Sequence, residues 1–380
     1  MHSNKPLRSI LVKPAGPDCN MKCTYCFYLK KSNFFSQTKT HRMSKNILKK
    51  VVQQVMAHGE SPVSFGWQGG EPTLMGIDFF KKAVEFQQKF GHNQVVGNGL
   101  QTNGILIDRE WARFLAQYKF LVGLSLDGPK HIHNKYRRMK GGKDSWSMVV
   151  DRAKLLLNSG VAVNALTVVN NYSVHFPEEI YEFHKSLGLN YMQFIPCVEP
   201  DPVNPGQAAP FSVDPAMFAR FLVKLFDLWM DDADDNGFTT SVRYFDSVFY
   251  CYLGLPAPDC TLQENCGSYV VVEHNGDVFC CDFYVADKWK LGNVLQGDLG
   301  KMLNSPLQEK FGKQKAALAK TCRECQWLKY CRGGCTKDRL SKENENPGSN
   351  YLCLSYRVFF EHAHPRMTGL VKKFLLKGGI

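Results

Sequence analysis

The 380-residue chain contains no long apolar run. Its first ten residues, MHSNKPLRSI, lack the stretch that a secretory signal requires, and no later segment reads as membrane-spanning. Low-complexity segments are absent too, and so is any dominating basic block, although the formal net charge is +12. Lysines and arginines this scattered form no stripe along which a nucleic-acid backbone would lie, so neither nucleic acid nor a membrane is expected as a partner. Cysteine, by contrast, is abundant. Fourteen cysteines without an export signal point to a reducing cytoplasm, where grouped thiols bind metal more readily than they form bridges. The 44% hydrophobic and 22% charged fractions are those of an ordinary globular protein, large enough for one α/β domain plus a smaller cysteine-rich module.

Up to about residue 235, β-rich runs alternate with helical patterns. Strands are expected at 8–14, 62–68, 95–102, 120–126, 162–169 and 191–196, and helices at 44–58, 79–90, 108–118, 146–159 and 177–187. A further helix, 214–231, places Phe218, Leu222, Leu225, Phe226 and Trp229 on one buried face. Such repeated strand-helix units favour parallel strands with right-handed crossovers, in an open sheet, a barrel or a partial barrel. The run DDADDNG sets a boundary near residue 236; beyond it, short elements are punctuated by cysteines, and an amphipathic basic tail follows from about Tyr356.

Cys19, Cys23 and Cys26 lie in CNMKCTYCFY, on a loop after the first expected strand. Three converging thiolates are one ligand short of a structural zinc site. A four-iron cluster held by three cysteines instead keeps one iron open. Further on, WQGGEPTL follows the second strand, where Gly69 and Gly70 allow a close backbone approach and Glu71 offers an acceptor. A plain turn would explain GGEP taken alone. Near the other end, Cys322, Cys325, Cys331 and Cys335 in CRECQWLKYCRGGC join Cys260, Cys266, Cys281 and Cys353 to give enough ligands for two four-cysteine sites. A zinc folding staple is the competing reading of this module. Spacing leaves Cys280 and Cys281 interchangeable as ligands, and Cys197 and Cys251 read as packing residues.

CNMKCTYC together with WQGGEPTL resembles the signature of the radical S-adenosylmethionine superfamily, and the later cysteines resemble its SPASM extension. Over nearly the whole length, through CTYCFY, QGGEPTL, QTNG, LVGLSLDGP, RYFD, CDFY, DKWKLGN and YCRGGC, the chain is similar to the anaerobic sulfatase-maturating enzymes. This resemblance implies a partial (β/α)6 TIM-type barrel over residues 1–235, followed at 236–380 by a SPASM module that binds two iron-sulfur clusters and carries a C-terminal helical tail. It also implies three 4Fe-4S clusters and S-adenosyl-L-methionine as cofactors. Cys19, Cys23 and Cys26 would hold the first cluster, Cys260, Cys266, Cys281 and Cys335 the second, and Cys322, Cys325, Cys331 and Cys353 the third.

The resemblance assigns Tyr25, Gly69, Gly70, Glu71, Ser125, Arg137 and Val198 to the S-adenosylmethionine site, and Tyr28 and Gln68 to the substrate. Asp282 in CDFY becomes the proton acceptor, a role suited to a carboxylate general base. Most of these residues also have a plain reading: Ser125 as a turn cap, Arg137 as a solvated cation, Val198 as packing, Tyr25 as a loop anchor, Tyr28 and Gln68 as loop stabilisers, and Asp282 as a hydrogen-bonded turn residue. The implied reaction is oxidation of a sulfatase cysteine or serine to formylglycine through hydrogen abstraction at Cβ. Implied partners are an unfolded or nascent sulfatase polypeptide and a low-potential electron donor such as a flavodoxin or ferredoxin. Two other readings remain at this point: a SPASM-type enzyme that forms thioether or carbon-carbon crosslinks, and a noncatalytic iron-sulfur electron carrier.

Overall fold

Strands that bury apolar side chains, each followed by a helix with one apolar face, form the parallel units expected of them. The computed structural model describes residues 4–204, 206–234, 237–340 and 348–378. In chain order the first half comprises β1 (Ser9–Lys13), α1 (Lys45–His58), β2 (Val63–Trp67), α2 (Ile77–Phe90), β3 (Val96–Thr102), α3 (Arg109–Gln117) and β4 (Leu121–Ser125). It continues with α4 (Lys130–Tyr136), α5 (Trp146–Asn158), β5 (Ala162–Val169), α6 (Pro177–Ser186), β6 (Tyr191–Pro196) and α7 (Pro215–Asp231). The short pieces β7 (Ala233–Asp234), β8 (Gly237–Phe238) and β9 (Ser241–Val242) lead into α8 (Arg243–Tyr252). After them come β10 (Val270–Glu273), β11 (Asp277–Phe279), β12 (Lys290–Asn293), α9 (Leu299–Leu303), α10 (Pro306–Lys313), α11 (Lys320–Arg323), α12 (Leu328–Cys331) and α13 (Cys353–Leu376).

Backbone contacts divide the chain into two compact units. The first comprises Met1–Leu126, Tyr136–Asn164 and Gly267–Gly312. Here β1 to β4 pair in parallel in sequence order. On its other side β1 pairs in parallel with β10, and β10 to β12 continue as an antiparallel meander. Residues of the cysteine-rich half thus complete the sheet of the first unit, an arrangement that strand-helix rhythm does not announce. Helix α1 starts at Ser44, whose hydroxyl accepts the Ile47 amide, and buries Leu48, Val51, Val52 and Val55.

The second unit comprises Asp127–Lys135, Ala165–Cys266 and Lys313–Ile380. Strand β6 pairs in parallel with β9. The apolar face of α7 is buried as its spacing predicts, with Phe226 packed edge-on against Phe359 of α13 at 5.7 Å. The basic tail is therefore a core helix on one face, while Arg366 on another binds Asp227 at 2.7 Å. The boundary expected near residue 236 falls on residues 235–236, outside the described residues. No helix among the described residues is long and apolar enough to cross a membrane.

Candidate active site

The loop after β1 carries Cys19, Cys23 and Cys26, and the chain anchors it from several directions. Asp18 accepts the His41 amide at 3.0 Å, the His41 ring at 2.7 Å and Arg42 at 2.6 Å. Burial alone would raise the Asp18 pKa, but these donors overcome it and hold the carboxyl below its usual range. On the opposite side, Lys22 and Thr24 donate their amides to the carbonyls of Arg138 and Tyr136. Cys19 Sγ accepts the Met21 amide at 3.3 Å, and Asn103 reaches it at 3.7 Å while binding Asn20 at 2.7 Å.

The glycine turn sits directly on this loop. Gly70 donates to Gly16 at 2.8 Å and Glu71 to Asp18 at 2.7 Å. A Cβ on Gly70 would lie 2.0 Å from the Asp18 carbonyl oxygen, and one on Gly69, where φ is +125°, 3.0 Å from that of Gly16. Close approach to the cluster loop's own backbone therefore already demands both glycines. Gln68 precedes them, its amide bonded to Val12 at 2.9 Å.

Glu71 is fully enclosed. Its carboxylate accepts Thr73 through amide and hydroxyl at 3.0 and 2.6 Å, Thr102 at 2.7 Å and the Asn103 amide at 2.8 Å. Burial nevertheless raises its pKa, with the same donors working against the rise. Glu71 acts here as a tie between the turn and the QTNG segment, a partner that its motif did not disclose.

Asp282 follows Cys281 in the first unit and is buried against Lys13 of β1, with which it forms an ion pair. Phe27 of the cluster loop packs on Phe283 with ring centroids 4.8 Å apart. Tyr28 is buried with its hydroxyl bonded to Glu273, and the Lys13 ammonium lies 3.8 Å from its ring centroid. Burial pushes the Tyr28 pKa well above its ordinary value, and Glu273 adds to the effect. Tyr25 meets Tyr136 edge-on at 5.9 Å, and the Arg137 guanidinium lies 5.4 Å from the Tyr25 ring. Ser125 ends β4 half-buried. The structure thus gathers the cluster loop, the glycine turn, Tyr25, Tyr28, Arg137 and Asp282 in one unit. Val198 belongs to the second unit, where its carbonyl accepts Lys337 at 3.1 Å.

In the second unit, Cys322, Cys325, Cys331 and Cys353 line one cavity of about 470 Å3 together with Trp327 and Phe360. Burial pushes the Cys331 thiol up to about 12, and Cys353, Cys322 and Cys325 reinforce it. Cys335 is likewise pushed to about 12 by burial, with Cys260 close enough to contribute. Lys315 Nζ donates to the carbonyls of Cys260 and Thr261, each at 2.7 Å. Cys281 lies in the first unit, 3.8 Å from the Tyr269 hydroxyl, while neighbouring Cys280 is fully buried.

Cys19 shows the same behaviour: burial raises its thiol to about 12, with Glu71, Cys23 and Cys26 adding to the effect. Donor sets made only of cysteine sulfur fit iron-sulfur clusters, whose irons take thiolate ligands. Among the described residues, no three His, Cys, Asp or Glu side chains are arranged to grip a single metal ion. The larger cubane spaces its ligands more widely than one ion does. Lys13, Asn103 and Glu273 escaped the sequence reading, and only Asn103, in QTNG, carried a motif that could have drawn attention to it.

Comparison with known proteins gives concordant matches. Residues 14–186 match the radical SAM superfamily and residues 260–326 the SPASM iron-sulfur cluster-binding domain. A cysteine-type anaerobic sulfatase-maturating enzyme from Clostridium perfringens is 40% identical over 96% of this chain and 98% of its own length. A serine-type counterpart from Bacteroides thetaiotaomicron is 36% identical over 98% of this chain and 92% of its own. Among solved structures, native anSMEcpe with bound AdoMet superposes with a TM-score of 0.89 at 39% identity, covering 96% of this chain and 99% of that one. The same protein with bound AdoMet and the Cp18Cys peptide also gives 0.89, at 38% identity over 96% and 99% of the two chains.

Proposed function

Because the chain belongs to the anaerobic sulfatase-maturating enzymes of the radical S-adenosylmethionine superfamily, we propose that it oxidises a cysteine or serine of a sulfatase polypeptide to formylglycine. The observation that carries this reading is the meeting, inside one unit, of the three-cysteine loop, the glycine turn docked on it and the buried Asp282 beside Tyr28.

With its clusters and S-adenosylmethionine bound, the site supplies a radical that removes one hydrogen atom from the substrate Cβ, and an acceptor for a second electron. Cys19, Cys23 and Cys26 hold the first cluster; Cys260, Cys266, Cys281 and Cys335 hold the second, and Cys322, Cys325, Cys331 and Cys353 the third. Tyr25, the Gly69-Gly70-Glu71 turn, Ser125, Arg137 and Val198 hold the nucleotide cofactor, while Tyr28 and Gln68 border the peptide. The Asp282 carboxylate takes the proton from the target thiol or hydroxyl as the carbon-sulfur or carbon-oxygen double bond forms. Its burial keeps bulk water from competing for that proton. For cysteine, hydrolysis of the thioaldehyde by one water then releases hydrogen sulfide and gives the same aldehyde.

In this scheme residues 1–235 carry the radical-forming machinery and 236–380 the auxiliary cysteines. The substrate is an unfolded or nascent sulfatase polypeptide, the electron donor a low-potential protein of the flavodoxin or ferredoxin kind, and the compartment the reducing cytoplasm. Anaerobic incubation of the loaded enzyme with paired cysteine and serine target peptides tests the reading. Mass spectrometry should find an aldehyde that hydrazide reagents trap, in one peptide or both. A nonreducible internal crosslink, or no 5′-deoxyadenosine at all, would overturn it.

A further inference from the structure

A lysine at the end of a strand is expected to carry its ammonium into water. Lys13 does not: it is 1% exposed. Its Nζ pairs with the Asp282 carboxylate, lies 3.5 Å from the carbonyl oxygen of the same residue, and sits 3.8 Å from the Tyr28 ring centroid and 5.7 Å from that of Phe27. The glycine turn packs closely on the stem: a Cβ on Gly69 would stand 3.2 Å from Lys13 Cβ. Across the strand pair, Lys13 is in register with Glu273, which binds the Tyr28 hydroxyl. One ammonium therefore touches the cluster loop's aromatic residues and Asp282 at once.

Stability alone explains this poorly, because desolvating two charges offsets most of their attraction and an apolar pair of similar volume often does as well. A buried pair at the carboxylate assigned as proton acceptor serves geometry: the cation restricts where the carboxylate can point, and the ring above it restricts the cation.

We infer that Lys13 is a positioning residue, which fixes Asp282 and Tyr28 relative to each other and so governs how many abstracted hydrogen atoms lead on to the aldehyde. The inference rests on the formylglycine reading above. In the step concerned, the target X–H proton passes to Asp282, one electron leaves to an acceptor of the iron-sulfur class, and the carbon-heteroatom double bond forms.

The test uses fully loaded enzyme under anaerobic conditions and a target peptide deuterated at Cβ. Lys13→Met should retain wild-type iron content and pass deuterium into 5′-deoxyadenosine, with KM for the peptide within about twofold. Aldehyde formed per 5′-deoxyadenosine should fall about tenfold or more, and Lys13→Arg should recover part of the loss. The double variant Lys13→Met with Asp282→Asn, which leaves neither charge stranded, should lose no more than Asp282→Asn alone. An unchanged ratio in Lys13→Met, a proportional fall of deuterium transfer and aldehyde, or additive losses in the double variant would each overturn the inference. Absence of aldehyde from the wild-type enzyme with either peptide would instead remove the underlying functional reading, and this inference with it.

Discussion

The Glu71 carboxylate accepts the backbone N–H of Asn103 at 2.8 Å, and through that bond the turn after β2 is tied to the end of β3. Asn103 in turn reaches Cys19 and Asn20, so the tie extends to the cluster loop. Removing the carboxylate in Glu71→Ala strands the donors of Thr73, Thr102 and Asn103 in a dry interior. Destabilisation by about 2–4 kcal/mol is expected, measured as a shift in denaturant midpoint, together with reduced iron at the first cluster.

Neighbouring cysteines should part company on substitution. Cys280 is buried in the first unit with its amide bonded to Trp289, whereas Cys281 is half-buried beside Tyr269. Iron and sulfide analysis of anaerobically loaded protein should show Cys280→Ala keeping its full complement, while Cys281→Ala loses about one cluster's worth or leaves that cluster labile. Equal losses from the two variants would remove the assignment of Cys281.

His184, buried in the second unit, shares a 2.9 Å hydrogen bond with Thr167, and burial lowers its pKa from 6.5 to about 3. Between those values the unfolded chain binds a proton at this site that the folded chain refuses, so stability falls as pH drops below 6.5. The contribution to the slope is at most about 1.4 kcal/mol per pH unit. Comparison of unfolding midpoints from neutral pH to about pH 5 should show a shallower decline for His184→Gln than for the wild type, and identical slopes would contradict this account.

Apart from the short α4, which the sequence reading did not expect, the alternating strands and helices from β1 to α7 were legible in the sequence because each buries one periodic face, and that pattern survives in a single chain read alone. Helix α13 was legible for the same reason as an amphipathic basic tail from about Tyr356; it begins at Cys353, and its aromatic face is core. The grouped cysteines and the glycine turn were legible as motifs. What periodicity could not show was pairing between distant strands: β10 has no local signal that its partner is β1. Lys13 was hidden for a related reason. Hydropathy treats a lysine as exposed, and only the arrival of Asp282 from the far end of the chain makes a buried ammonium tolerable there.

The bond between β1 and β10 also bears on how the polypeptide is made. While the ribosome is still short of Val270, one side of β1 has unsatisfied amides and carbonyls that a neighbouring nascent chain could capture. A gene truncated after codon 235 would perpetuate that exposure. Completion of the first unit's sheet thus waits on the translation of residues 270–293.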